Sequence, residues 1–146
     1  MTRIVLDASA ALNVVMRTTQ AVPIMDTLIG ADAVLAPRLF GSEAANALWK
    51  YVKAGDISRD IAVSRLAEAM ALVDSLESDE EIVTEALDAA IIQQHPVYDL
   101  LYVVLARRYS AKLVTMDRRL SHLATVFIGM PVSSWLGKKF LARAGG

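Results

Sequence analysis

The stretch Ile4-Val5-Leu6-Asp7-Ala8-Ser9-Ala10 decides the fold. Three apolar residues in a row, with no polar alternation, are the pattern of a strand covered on both faces. The strand delivers one carboxylate, Asp7, to its end. The small residues that follow begin a helix running to about Met16, and Asp7 is placed to cap it by accepting from exposed N–H groups of the first turn. A strand passing directly into a helix is the opening of a βαβ unit.

Further units follow. Pro23 opens a short helix through Ile29, closed by Gly30, and Ala33-Val34-Leu35-Ala36 is a second strand ended by Pro37. From Arg38 to about Lys53 the period becomes helical, with Phe40, Ala44, Leu48, Tyr51 and Val52 on one stripe and Gly55 as the stop. Ser58 caps the next helix, which carries Ile61, Val63, Leu66, Ala69, Met70 and Val73, so the two helices form a hairpin around Ala54-Gly55-Asp56. Residues 79–94 form a long helix whose first turn, Asp79-Glu80-Glu81, complements the helix dipole. His95-Pro96 breaks it. Pro96 starts a helix to about Tyr109 whose segment Leu100 to Ala106 is apolar nearly all round and therefore central. Lys112-Leu113-Val114-Thr115 reads as a third strand, Arg118 to Leu123 as a short helix, and Val126-Phe127-Ile128 as a fourth strand. The tail from Ser133, with Trp135, Leu136, Phe140 and Leu141 among basic residues, reads as a packed short helix or a partly ordered arm. Strands alternating with helices at spacings too long for hairpins imply an α/β fold, a parallel sheet with helices on both faces.

The chain has 146 residues, the size of one domain with a self-sufficient core, so residues 1–146 are read as a single domain. It is 55% hydrophobic and 21% charged, with a mean hydropathy of +0.41, which excludes disorder and favours tight packing or a partner-covered surface. Cys is absent and the only His are His95 and His122, which excludes disulfides, thiolate zinc sites and histidine-rich metal centres. Arg3 before an apolar run briefly resembles a signal peptide, but Asp7 interrupts it. No apolar run approaches the roughly 20 residues of a membrane span, so the expectation is a soluble, cytoplasmic protein. A formal net charge of -1 argues against generic nucleic-acid binding, whereas clustered cations such as Lys50/Lys53, Arg107/Arg108 and Arg118/Arg119 allow local basic patches.

Ligands of an open α/β sheet collect beyond the carboxyl ends of its strands. Asp7 and Asp117 both stand there, each with a hydroxyl two residues away, Ser9 and Thr115. Asp99 occupies the first turn of the helix opened by Pro96, where the dipole favours negative charge, and Glu43 lies early in its helix on a face shared with Asn46, Ala47 and Lys50. Four carboxylates in one pocket raise one another's pKa unless a cation binds. Hard divalent ions with oxygen ligands, Mg²⁺ or Mn²⁺, answer that need without any histidine base.

Four stretches, Ile4-Val5-Leu6-Asp7-Ala8-Ser9, Ser42 to Leu48 around Glu43, His95 to Ala106 around Asp99, and Leu113 to Leu120 around Asp117, resemble in order the four acidic motifs of the PIN domain family. The chain is most similar to its small VapC-type toxins of toxin–antitoxin pairs. The resemblance implies a three-layer α/β/α fold with a central parallel sheet of about four to five strands and a protruding helical hairpin. It further implies a Mg²⁺- or Mn²⁺-dependent endoribonuclease that cuts single-stranded or looped RNA to a 5′-phosphate and a 3′-hydroxyl. Carried over, Asp7, Glu43, Asp99 and Asp117 are metal ligands or their water-mediated partners, with Ser9, Asn46 and Thr115 in support. Also implied are a homodimer and inhibition by a small VapB-like antitoxin whose tail lies along the active-site groove. Some members carry a further acid where this chain has Arg118 and Arg119, so one metal ion and two are both open; for those arginines phosphate contact and simple solvation are both open. Two other classes compete: an aspartate-dependent phosphatase or phosphoryl acceptor built on Asp7, which lacks a second Asp two residues on, and a non-catalytic interaction module.

Overall fold

The computed structural model describes residues 1–128. Its elements are β1 (Arg3–Leu6), α1 (Ala8–Val15), α2 (Ala21–Ile29), β2 (Ala33–Pro37), α3 (Leu39–Lys53), α4 (Arg59–Ala71), β3 (Ser75–Glu77), α5 (Asp79–Gln93), α6 (Val97–Arg108), β4 (Lys112–Val114) and α7 (Arg118–Ile128). The four strands form one parallel sheet in the order β3-β2-β1-β4, so the chain winds outward from β1 to both edges. The tail from Ser133 lies outside the described residues.

Side-chain alternation along the central strands builds two layers. Val5 and Leu35 face α5, α6 and α7, while Ile4, Leu6, Val34 and Ala36 face α1 to α4. Because both faces are covered, no polar residue is tolerated along Ile4 to Leu6, and all three are essentially buried. Seven consecutive α6 residues, Leu100 to Ala106, are buried, since α6 packs between α5 and α7 and lies against the sheet. The expected three-layer arrangement and the α3–α4 hairpin are both present. Gly55, at φ +82°, closes α3 in the left-handed region, and the Ser58 hydroxyl caps α4 by accepting from the Ile61 N–H.

Two elements differ from the sequence expectation. Residues Val126 to Ile128 are the last turn of α7, not a fourth strand. Leu120, Leu123, Ala124 and Phe127, spaced by 3, 1 and 3, form one buried helical stripe against α6, and that periodicity outweighs the β-branched character of the segment. The fourth strand is instead β3, Ser75-Leu76-Glu77, an edge strand paired with β2 alone. No helix among the described residues is long and apolar enough to cross a membrane.

The layering separates the two ends of the energy scale. Leu6→Ala, at a fully buried site, is expected to lower unfolding free energy by about 2–5 kcal/mol, and Leu76→Ala on the exposed edge by less than about 1 kcal/mol, as read from urea denaturation. Equal losses would contradict this placement of the core.

Candidate active site

Each of the four acids reaches the same place from a different element. Asp7 follows β1, Asp117 follows the neighbouring β4, Asp99 lies in the first turn of α6, and Glu43 lies early in α3. All four line one cavity of about 410 Å³ at the carboxyl edge of the sheet.

Asp7 is the most deeply set, 6% exposed. Its backbone N–H donates to the Val114 carbonyl at 3.0 Å, which extends the β1–β4 pairing by one residue and fixes its position. Its backbone carbonyl starts α1 by accepting from Ala10 and Ala11, but the side chain does not cap that helix as expected. Oδ2 instead accepts from the hydroxyls of Ser9 and, at 2.8 Å, Thr115. The two hydroxyls span the β1–β4 seam, and each also secures the chain leading to Asp117. Ser9 Oγ accepts from the Met116 N–H and Thr115 Oγ1 from the Asp117 N–H, both at 3.0 Å. Asp117 is itself the cap of α7, with Oδ1 accepting from the N–H groups of Arg119 at 2.8 Å and Leu120 at 3.3 Å.

Glu43 is held by a residue that the sequence reading leaves in the core. Tyr102, fully buried, donates its hydroxyl to Glu43 Oε1 at 2.7 Å. Buried tyrosines usually find a partner for the hydroxyl, and the position of Tyr102 three residues after Asp99 puts both on one helix face. Burial and the Glu43 carboxylate push the Tyr102 phenol up, which keeps it a donor. Asp99 Oδ2 lies 3.4 Å from His95 Nε2, so His95 is an active-site neighbour as well as a turn residue.

The electrostatics are those of crowded acids. Burial is the leading cause of a raised pKa at Asp7, Glu43 and Asp99. The charge of Asp7 raises both Glu43 and Asp99, and Asp117 raises Asp99 further. The hydroxyls of Ser9 and Thr115 pull Asp7 down, Tyr102 pulls Glu43 down, and His95 and Arg119 pull Asp99 down. Arg119 thus acts on the site through its field, although neither Arg118 nor Arg119 lines the cavity. Ser9 and Asn46 line it, and Thr115 acts from behind Asp7. Asn13, Lys50 and Tyr51 also line it; Lys50 continues the Glu43 face along the helix, Tyr51 is an aromatic of the α3 stripe for which base stacking and core packing were both open, and no motif pointed to Asn13.

Carboxylate oxygens of this kind suit a hard divalent cation. Among the described residues no three His, Asp or Glu side chains are already gathered into a ligand shell.

A family model described as PIN domain matches residues 4–126. The chain belongs to the PIN domain family. Ribonuclease VapC3 from Pyrobaculum aerophilum is 30% identical over 121 residues, which make up 82% of this chain and 92% of that protein. The crystal structure of PAE2754, also from Pyrobaculum aerophilum, shares the fold with a TM-score of 0.68 at 24% identity, covering 84% of each chain. The central parallel sheet and its flanking helices are therefore those of a PIN domain.

In this PIN domain the folded-state pKa values of Asp7, Glu43 and Asp99 lie above their unfolded values. The native state then binds more protons than the unfolded chain between those values, and the penalty is full above the folded pKa and absent below the unfolded one, near 4. Without divalent ions, Asp7→Asn is expected to melt above wild type at pH 7.5, with a difference that shrinks as pH falls toward 4 in thermal melts. A variant that melts lower at pH 7.5 would show that the Asp7 charge does not strain the apo fold.

Proposed function

We propose that this chain is a metal-dependent endoribonuclease, the VapC-type toxin of a type II toxin–antitoxin pair, hydrolysing RNA phosphodiesters. The observation that carries the reading is the meeting of four acids from four separate elements around one cavity, and the 30% identity to Ribonuclease VapC3 supports it. Asp7, Glu43, Asp99 and Asp117 would hold Mg²⁺ or Mn²⁺, directly or through water. A bound ion of this class lowers the pKa of its water and stabilises charge on a phosphate and its leaving oxygen.

The chain's own part is to keep the acids separate, charged and oriented. Ser9 and Thr115 fix one oxygen of Asp7, the α7 amides fix one oxygen of Asp117, and Tyr102 fixes one oxygen of Glu43. Outer partners of this kind orient ligands and tune affinity. Glu43 and Asp99, half-buried and with raised pKa values, are the carboxylates suited to accept the proton of an attacking water. A phosphoryl-acceptor role for Asp7 finds less support, because its carboxylate is buried and takes two hydroxyls on one oxygen.

The proposed partners are RNA, a VapB-like antitoxin and a second copy of the chain, in the cytoplasm. Two apolar surfaces among the described residues are available to the protein partners. One is the outer face of α5 with Val83, Leu87 and Ile91. The other is the groove between α3 and α4 beside Trp49, Val63 and Leu66.

Asp7→Asn and Asp99→Asn are each expected to lower Mn²⁺- or Mg²⁺-dependent cleavage of a 5′-labelled single-stranded RNA by on the order of 10²–10³-fold while a cooperative melt survives. EDTA is expected to abolish wild-type cleavage. Undiminished cleavage by both variants would remove the acids from the chemistry.

A further inference from the structure

The cavity has two kinds of wall. At one end every acid has one oxygen engaged or approached by the fold, through Ser9 and Thr115, Tyr102, the α7 amides or His95. Along α3 the opposite holds. Asn46, Lys50 and Tyr51 line the same cavity, and none of their side chains makes a hydrogen bond or ion pair with any described residue. Asn13, across the cavity on α1, is by contrast locked: its Nδ2 donates to the Ser9 carbonyl at 2.9 Å and its Oδ1 accepts from Thr18 at 2.7 Å.

Lys50 is the informative member. It shares a cavity with four carboxylates, yet it makes no ion pair with any of them. Seven residues along a helix place its Cα about 10 Å further along the axis than that of Glu43, and its exposed ammonium makes no ion pair with any of the four acids. A cation that stays free beside an acidic pocket is free for an anion. Lys53, one turn on, is differently occupied, with Nζ 5.2 Å from the Trp49 ring centroid. Tyr51 packs its ring on the core cluster of α1 to α4 while still lining the cavity, which gives a fixed aromatic surface next to the free ammonium. Asn46, between Glu43 and Lys50, offers an uncommitted donor and acceptor.

We infer that the α3 wall of Asn46, Lys50 and Tyr51 is the seat of the nucleotide next to the scissile phosphate of a single-stranded RNA, with Lys50 on a neighbouring, non-scissile phosphate. The inference rests on the ribonuclease reading and adds the strand's direction to it: from the acids along α3. The small Ala47 leaves the wall open between the polar groups. A base set against Tyr51 can be read by Asn46, and a backbone phosphate is neutralised by Lys50.

The test is fluorescence anisotropy of a labelled single-stranded RNA across a salt series, on the full chain carrying Asp7→Asn so that no cleavage intervenes. Lys50→Ala is expected to weaken binding several-fold and to reduce the slope of log affinity against log salt by about 0.7, the loss of one phosphate contact on a single strand. Lys50→Arg should restore both, and Lys53→Ala should leave both near the starting values. Lys50 and Lys53 are exposed or rim-placed, so the variants fold. An unchanged slope in Lys50→Ala, or equal effects from Lys50→Ala and Lys53→Ala, overturns the assignment. If the unmodified chain cleaves RNA while Lys50→Ala changes nothing, the inference alone fails; if the unmodified chain neither cleaves nor binds RNA, the ribonuclease reading fails with it.

Discussion

Burial of carboxylates gathered at the carboxyl edge of one parallel sheet, with their mutual repulsion added at Glu43 and Asp99, is the constraint on which the rest of the structure depends. Asp7 is 6% exposed, and its charge is felt at both Glu43 and Asp99. Such an arrangement persists only if rigid elements hold each acid in place and donors compensate part of the burial. The β1–β4 pairing does the first, carried on past the strands by the Asp7 N–H to Val114 bond. The hydroxyls of Ser9 and Thr115, the phenol of Tyr102 and the first amides of α7 do the second. What those donors leave uncompensated is what a divalent cation would supply.

The same fold gives the cavity its polarity. Asp99 and Tyr102 belong to a helix that is buried along seven consecutive residues, so their side of the site cannot shift without repacking the core. Helix α3 contributes Glu43 to the acidic end and Lys50 to the other, separated by two helical turns. One helix therefore carries both an acid of the site and a cation that makes no ion pair with it.

Much of this was legible in the residues, and the exceptions have physical causes. Strands β1 and β2 are doubly covered and therefore write themselves as apolar runs, and the winding of α6 through the middle shows as an unbroken apolar segment. Strand β3 was invisible because an edge strand of Ser, Leu and Glu needs no such run; its pairing comes from β2. Val126-Phe127-Ile128 misled because local β-branched character was given weight over the spacing of Leu120, Leu123, Ala124 and Phe127. The four acids were readable from strand ends and first helical turns, and all four do line one cavity. Tyr102 was not, because a hydroxyl inside an apolar run looks like core until the partner across the fold is known. The side chain of Asp7 accepts from the hydroxyls of Ser9 in α1 and of Thr115 just beyond β4, and the second contact joins residues 108 apart.

The central claim is that the acidic end of the cavity is completed by a divalent cation in competition with protons. Calorimetric titration of Mn²⁺ into the metal-free chain between pH 5 and pH 8 tests it most directly. Saturable binding that weakens as pH falls, with protons released on binding, is the predicted result. Absence of Mn²⁺ binding at every pH would contradict it.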